Sequence, residues 1–369
     1  MWDHNNTPPF EEPTSSLVTV GTLSEYKSPL HRPPLRVLEP RKVRLALTPI
    51  DILCTIFQSV KCNTVNQSEL RLKGRTIHGN SLISVVTNLS HTRSEGISSV
   101  YGDTELDHFA SVGNKLADAA GDVIRKYFRK RFDIVDKPDF SPVTIADRAA
   151  EEAMTSIIQE SLPSHAIYGE ENGWQCKENS ADYVWVLDPI DGTKSFITGK
   201  PVFGTLIALL DKGKPILGII DQPILRERWV GITGRTTRMN GEEISTRNCP
   251  KLSQAYLYTT SPHLFNPEAK VAFSRVRDKV KVPLYGCDCY AYALLASGHV
   301  DLVVESGLKP YDFLSLIPVI EGAGGVITDW SGNHITWEAS STAEATSFNV
   351  VAAGDKQVHQ QALDSLEWQ

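Results

Sequence analysis

Cysteine is scarce in this chain. Six thiols in 369 residues (Cys54, Cys62, Cys176, Cys249, Cys287 and Cys289) are too few and too scattered for a secreted disulfide scaffold. Cys287 and Cys289 form a C-x-C, but no second pair nearby completes a zinc site. They read as two small buried residues in or near a strand, and the simplest compartment is a reducing one. Long hydrophobic runs are also missing. No window approaches the roughly 18 uninterrupted apolar residues of a membrane span, so no membrane partner is expected. Positive charge is in deficit, with 37 Lys+Arg against 44 Asp+Glu, and the imbalance is local. Residues 1–100 carry 11 basic and 8 acidic side chains, so the remainder holds 26 and 36. An acidic body argues against a nucleic-acid backbone as partner, because phosphate contacts need Lys and Arg. Acids gathered in one place suit metal cations instead. Signatures of a nucleophile carried on the protein are absent: there is no Arg-His-Gly, no Cys followed six residues later by Arg, and no Asp-x-Asp-x-Thr. The ten histidines show no paired metal spacing.

The chain divides by character. Residues 1–95 hold many Ser, Thr and Pro and no long amphipathic pattern; residues 41–94 contain eight Lys/Arg but only Asp51 and Glu69 as acids. That composition suits an organellar transit leader, although Asp3, Glu11 and Glu12 at the start do not. A disordered tail or an over-extended reading frame is the competing explanation. From Glu105 the apolar positions Leu106, Phe109, Val112, Leu116, Ala119, Val123 and Tyr127 predict a long helix to Arg131. A second helix is expected over Ile145–Ser161, before Pro163. Strands are expected at 166–168, 183–187, 205–210, 216–220 and 228–232, with an Asn240-Gly241 hairpin after them. Beyond Pro250 strands (255–260, 282–286, 300–305, 325–328, 348–353) alternate with helices (267–279, 290–297, 312–322, and one from 356). There is no internal repeat. The pattern is α+β passing into α/β, with an N-terminal lobe over 96–240 and a C-terminal one over 241–369 sharing a cleft.

Four acidic sites fall at strand ends or helix starts. In WVLDPIDGTKSF (185–196) an apolar run ends in Asp188 and Asp191. The others are Gly169-Glu170-Glu171, the segment Lys137–Asp147, and Pro310-Tyr311-Asp312, seven residues beyond Glu305. Asp-Pro and Asp-Gly are common turn formers, and that alone explains the first pair. The alternative is metal binding: hard divalent cations want oxygen ligands, and Pro189 stiffens the loop so that Asp188, the Ile190 carbonyl and Asp191 share an aim. Gly192 permits a sharp turn, and backbone N–H groups at a helix start near Thr193 would suit a phosphate.

Taken in order, Gly169-Glu170-Glu171, Trp185 to Thr193, and Asp312 followed by Gly324-Gly325 resemble the inositol monophosphatase-like, magnesium-dependent, lithium-sensitive phosphatases. The resemblance covers roughly residues 104–369 and implies a stacked αβαβα sandwich, often a homodimer. It also implies two to three Mg2+ ions. Glu170, Asp188 and the Ile190 carbonyl would hold the first; Asp188, Asp191 and Asp312 the second; Glu170 and water a third. Thr193 would hydrogen-bond the attacking water and Asp147 would polarise the Thr193 hydroxyl, with Glu170 also on the catalytic side. The Gly192 and Thr193 amides would bind phosphate. The implied chemistry is in-line attack on phosphorus without a covalent phosphoenzyme.

The family acts on several small phosphate esters, and Tyr285-Gly286-Cys287-Asp288-Cys289-Tyr290-Ala291-Tyr292 borders the organic part of the substrate. Asp288 stands where inositol phosphatases carry alanine. With Glu305 it would set two carboxylates around the leaving group, which favours a cationic one. The stretch is similar to the histidinol-phosphate phosphatases of the family, and a plastid location would suit the leader. Two alternatives stay open: Asp288 as a plain cap of the following helix, and inositol monophosphate or another sugar-alcohol phosphate as the substrate. From another class, a catalytically silent metal- or phosphate-binding regulator is disfavoured by the intact acidic set.

Overall fold

A computed structural model describes residues 102–131, 134–136 and 142–368. The expected leader and Asp139 lie outside the described residues. Helix α1 (Asp103–Tyr127) buries Leu106, Phe109, Val112, Leu116, Ala120 and Ile124 along one stripe, with Asp103 and Glu105 in its first turn and Arg125 and Lys126 in its last. It stops short of Arg131 because Phe128 leaves helical geometry and packs its ring on Phe196 and Phe203. A short antiparallel pair that the apolar pattern does not announce, β1 (Ile134–Asp136) and β2 (Pro142–Thr144), leads into α2 (Ile145–Ser161). Thr144 and Asp147 form a reciprocal capping box at its start.

The first sheet contains β3 (Ala166–Gly169), β4 (Gly173–Gln175), β5 (Tyr183–Asp191), β6 (Gly204–Asp211), β7 (Lys214–Gln222), β8 (Glu227–Ile232), β9 (Arg238–Met239) and β10 (Glu242–Glu243). Its order is β10-β9-β8-β7-β6-β5-β3-β4, and only β3 and β5 run parallel. The expected Asn-Gly turn joins β9 to β10, with both central residues at positive φ. A five-residue helix, α3 (Thr193–Ile197), follows β5.

The second sheet takes β11 (Tyr256–Thr259), β12 (Val282–Tyr285), β13 (Leu302–Leu308), β14 (Val326–Asp329) and β15 (Phe348–Ala353) in the order β12-β11-β13-β15-β14. Helices α4 (Pro267–Arg277), α5 (Tyr290–Ala296), α6 (Pro310–Phe313), α7 (Leu316–Gly322) and α8 (Lys356–Leu366) complete the chain. The single helix expected over 312–322 is in fact two, α6 and α7, separated at Leu314-Ser315.

Three apolar clusters define the layers. One joins α1 and α2 to the first sheet; one, around α5 and α7, fills the space between the sheets; one lies under α4 and α8 outside the second sheet. Helix α7 crosses the first sheet so closely that a Cβ at Gly218 would overlap the Ser315 backbone. The result is the mixed α/β sandwich of helix, sheet, helix, sheet and helix layers that the resemblance implies. Among the described residues no helix is long and apolar enough to cross a membrane.

Candidate active site

The site grows from the exit of β5. In a regular strand, side chains alternate faces, so residues three apart point opposite ways. Here Asp188 pairs with Leu206 while Asp191 pairs with Gly204, so one extra residue is accommodated between them. That bulge returns Asp191 to the face used by Asp188. Pro189 donates no ladder hydrogen bond, and its carbonyl accepts from Thr205 Oγ1 at 2.8 Å. The Ile190 amide donates to Asp188 Oδ1 at 3.0 Å, fixing that carboxylate. Gly192 then turns at φ 89°, a conformation that favours glycine, and a Cβ there would come within 2.8 Å of the Asp288 carboxyl.

Two other elements deliver carboxylates to the same place. Asp312 sits on α6, where its Oδ2 accepts from the Lys309 amide at 2.7 Å. Ligand oxygens of Asp188, Asp191 and Asp312 all lie within 4.8 Å of one another. Glu170 follows β3, which runs parallel beside β5, and its amide donates to the Leu187 carbonyl at 3.0 Å. Burial pushes the Asp188 carboxyl well up from the usual carboxylate range, and the charges of Glu170, Asp191 and Asp312 add to it. Burial also raises Asp312, followed by the charge of Asp191. Asp191 is pushed up to about 7, by burial first and the Asp288 charge second. Such crowding of like charges favours a cation at its centre.

The remaining expected residues lie around this group. Asp147 is buried; its Oδ2 accepts from the Thr144 amide at 2.9 Å and from the Thr144 hydroxyl, while its Oδ1 has no hydrogen-bond partner. Burial raises it to about 6. The expected Asp147–Thr193 hydrogen bond is not formed. The Thr193 hydroxyl donates instead to the Ile190 carbonyl at 3.2 Å, because the turn at Gly192 folds it back onto the bulge. Glu305 is buried on β13 with Oε2 accepting from Thr259 Oγ1 at 3.1 Å and Oε1 from the Thr260 amide; burial pushes it up to about 7.

Asp288 does not cap α5, whose N-cap is Cys289 with no side-chain cap bond. Its Oδ2 accepts from Ser195 Oγ at 2.6 Å, and the Cys289 amide donates to Asp191 Oδ2 at 2.6 Å. Burial raises Asp288, opposed by the Ser195 bond and by the charges of Lys200 and Lys194. Gly286 and Cys287 carry the chain into this turn, with the Gly286 amide bound to the Thr259 carbonyl and the Cys287 thiol buried and pushed up to about 12. A separate cavity of about 650 Å3, lined by Asn114, Asp118, Asp221 and Arg228, contains none of these residues.

Three carboxylates with ligand oxygens within 4.8 Å of one another form an all-oxygen donor set that fits a hard divalent ion. The Inositol monophosphatase family model matches residues 105–367. The chain belongs to the inositol monophosphatase family. It is accordingly a metal-dependent phosphatase. It is 82% identical over 266 residues to the bifunctional phosphatase IMPL2, chloroplastic, of Arabidopsis thaliana, covering 72% of this chain and 77% of that one. A histidinol-phosphatase of Chlorobaculum parvum is 32% identical, over 65% of this chain and 93% of that protein. Among solved structures, an inositol monophosphatase from Zymomonas mobilis superposes with a TM-score of 0.64 at 47% identity, covering 73% of this chain and all of that one.

Sequence reasoning did not single out Glu151, Ser195, Thr259 or Thr260. Glu151 had a readable signal, an acid four positions after Asp147 on the apolar face that also carries Ala146, Ala150 and Met154. Ser195 and the two threonines had none, since their partners lie 93, 46 and 45 positions away.

Proposed function

We propose that this phosphatase hydrolyses histidinol phosphate in the plastid, and that it does so with two to three magnesium ions. The observation that carries the substrate reading is the Asp288 carboxylate, which turns away from its helix toward Ser195 and stands beside the acidic group. A buried acid there, with Glu305 nearby, would favour a leaving group bearing ammonium or imidazolium over a neutral polyol. The similarities to IMPL2 of Arabidopsis and to a bacterial histidinol-phosphatase support the same substrate, and the chloroplastic relative supports the plastid.

Glu170, Asp188 and the Ile190 carbonyl would hold one ion, and Asp188, Asp191 and Asp312 another, with Glu170 also available to a third. Magnesium would supply positive charge to the phosphate oxygens and a lowered pKa to water. Thr193 would orient the attacking water, and Asp147, buried with one free oxygen, would take up a proton from that side. The Gly192 and Thr193 amides would bind the phosphate. Gly286, Cys287, Asp288 and Glu305 would border the leaving group. A homodimer belongs to this reading.

A second reading, an inositol or related sugar-alcohol phosphatase, is favoured by Lys194 and Lys200, whose charges oppose that of Asp288. Phosphate release from histidinol phosphate and inositol monophosphate, with magnesium and with chelator, separates the two. Preference for the inositol ester would overturn the substrate reading. Magnesium-independent release would overturn the metal one.

A further inference from the structure

We propose that Glu151 is a positioning residue: its buried carboxylate shapes the turn that carries Glu170 and thereby sets the aim of Glu170 at the metal site. The inference rests on Glu170 being a metal ligand, as read above.

Glu151 lies on α2 and is fully buried. Both of its oxygens are committed to the two residues that follow Glu170. Oε2 accepts from the Glu171 amide at 2.9 Å; Oε1 accepts from the Asn172 amide at 3.0 Å and from Asn172 Nδ2 at 2.8 Å. The carboxylate also fills the inside of the turn, because a Cβ on Gly169 would overlap it. Glu170 is thus gripped from both sides, with Gly169 packed on Glu151 before it and Glu171 and Asn172 bonded to Glu151 after it. Its own amide is tied to Leu187, next to Asp188. Groups that hold a ligand in this way change metal affinity when lost, typically by about 10- to 100-fold.

A glutamine at this position keeps the volume but not the chemistry. It offers one acceptor oxygen and a donor NH2 to a turn that presents only donors, so at least one amide loses its acceptor. The test uses full-length protein, with Mn2+ binding followed by loss of its free-ion electron paramagnetic resonance signal, and with the Mg2+ midpoint of phosphatase activity.

Glu151→Gln is expected to weaken Mn2+ binding about tenfold and raise the Mg2+ midpoint by the same factor. Activity at saturating Mg2+ should recover much more than activity at low Mg2+. Asn172→Ala, which removes an exposed side chain and a single bond, should move the midpoint in the same direction by about threefold. A folded Glu151→Gln protein with Mn2+ affinity within twofold of wild type overturns the inference, whatever its melting temperature. If that variant does not fold, an unchanged midpoint in Asn172→Ala overturns it. Wild-type protein that binds no Mn2+ overturns the metal reading and this inference together; normal wild-type binding with unaffected variants overturns this inference alone.

Discussion

Ser195 donates its hydroxyl hydrogen to Asp288 Oδ2 at 2.6 Å across 93 positions of sequence. That bond joins the helix after β5 to the turn before α5, and the Asp191–Cys289 bond runs parallel to it. Asp191 and Asp288 are therefore tied into one junction between these two segments. This explains why Gly192, lying against Asp288, has no room for a side chain.

If Asp288 meets a cationic leaving group, Asp288→Ala should reduce kcat/KM for histidinol phosphate far more than for a small neutral ester. One charge-assisted hydrogen bond corresponds to about 1.5–3 kcal/mol, roughly ten- to a hundred-fold. Ser195→Ala should show a weaker form of the same selectivity loss. Equal losses on both esters would mark the junction as structural only.

Asp191→Asn should lower turnover by at least about 10²-fold with the fold intact. An asparagine oxygen can still accept from the Cys289 amide, so the junction keeps its bond while the site loses a charge. Near-wild-type phosphate release at saturating magnesium would remove Asp191 from the metal site.

Protons stabilise the metal-free protein. Asp147 at about 6, and Asp191 and Glu305 at about 7, all lie above their unfolded values, with burial the largest cause. Between roughly pH 4 and 7 the folded chain holds protons that the unfolded chain releases, so this contribution is full below about pH 4 and is lost as pH rises through 6–7. In chelator, the melting temperature should fall from pH 5 to pH 8. Magnesium should restore it at pH 8, because the ion binds the folded carboxylates. A melting temperature in chelator that is flat or rising over that range would contradict the assignment.

Deleting residues 1–94 should leave a cooperative, active phosphatase. The family match begins at residue 105, and the leader carries no periodic apolar pattern with which to bury surface against the body. Loss of the melting transition or of activity in the shortened chain would place essential contacts upstream.

The sequence by itself determined a good deal. The stripe Leu106–Phe109–Val112–Leu116 marked α1, Asn240-Gly241 marked a hairpin, and the motifs carrying Asp188, Asp191 and Asp312 marked residues that cluster and, by resemblance, the family. Each is a local signal, carried by periodicity, turn geometry or a short motif. Only the tertiary structure decided the rest. Pro189 in a central strand hints at an irregularity, but that Asp188 and Asp191 share a face is fixed by the register of β5 against β6. The end of α1 at Phe128 depends on ring packing against Phe196 and Phe203, whereas the break between α6 and α7 falls at Leu314, whose carbonyl Pro318 cannot bond, a local signal present in the sequence. Thr193 turned to Ile190 rather than Asp147, and Asp288 to Ser195 rather than its own helix. A short polar side chain chooses among acceptors by which one the fold brings within about 3 Å, and that distance is set by residues far away in the chain.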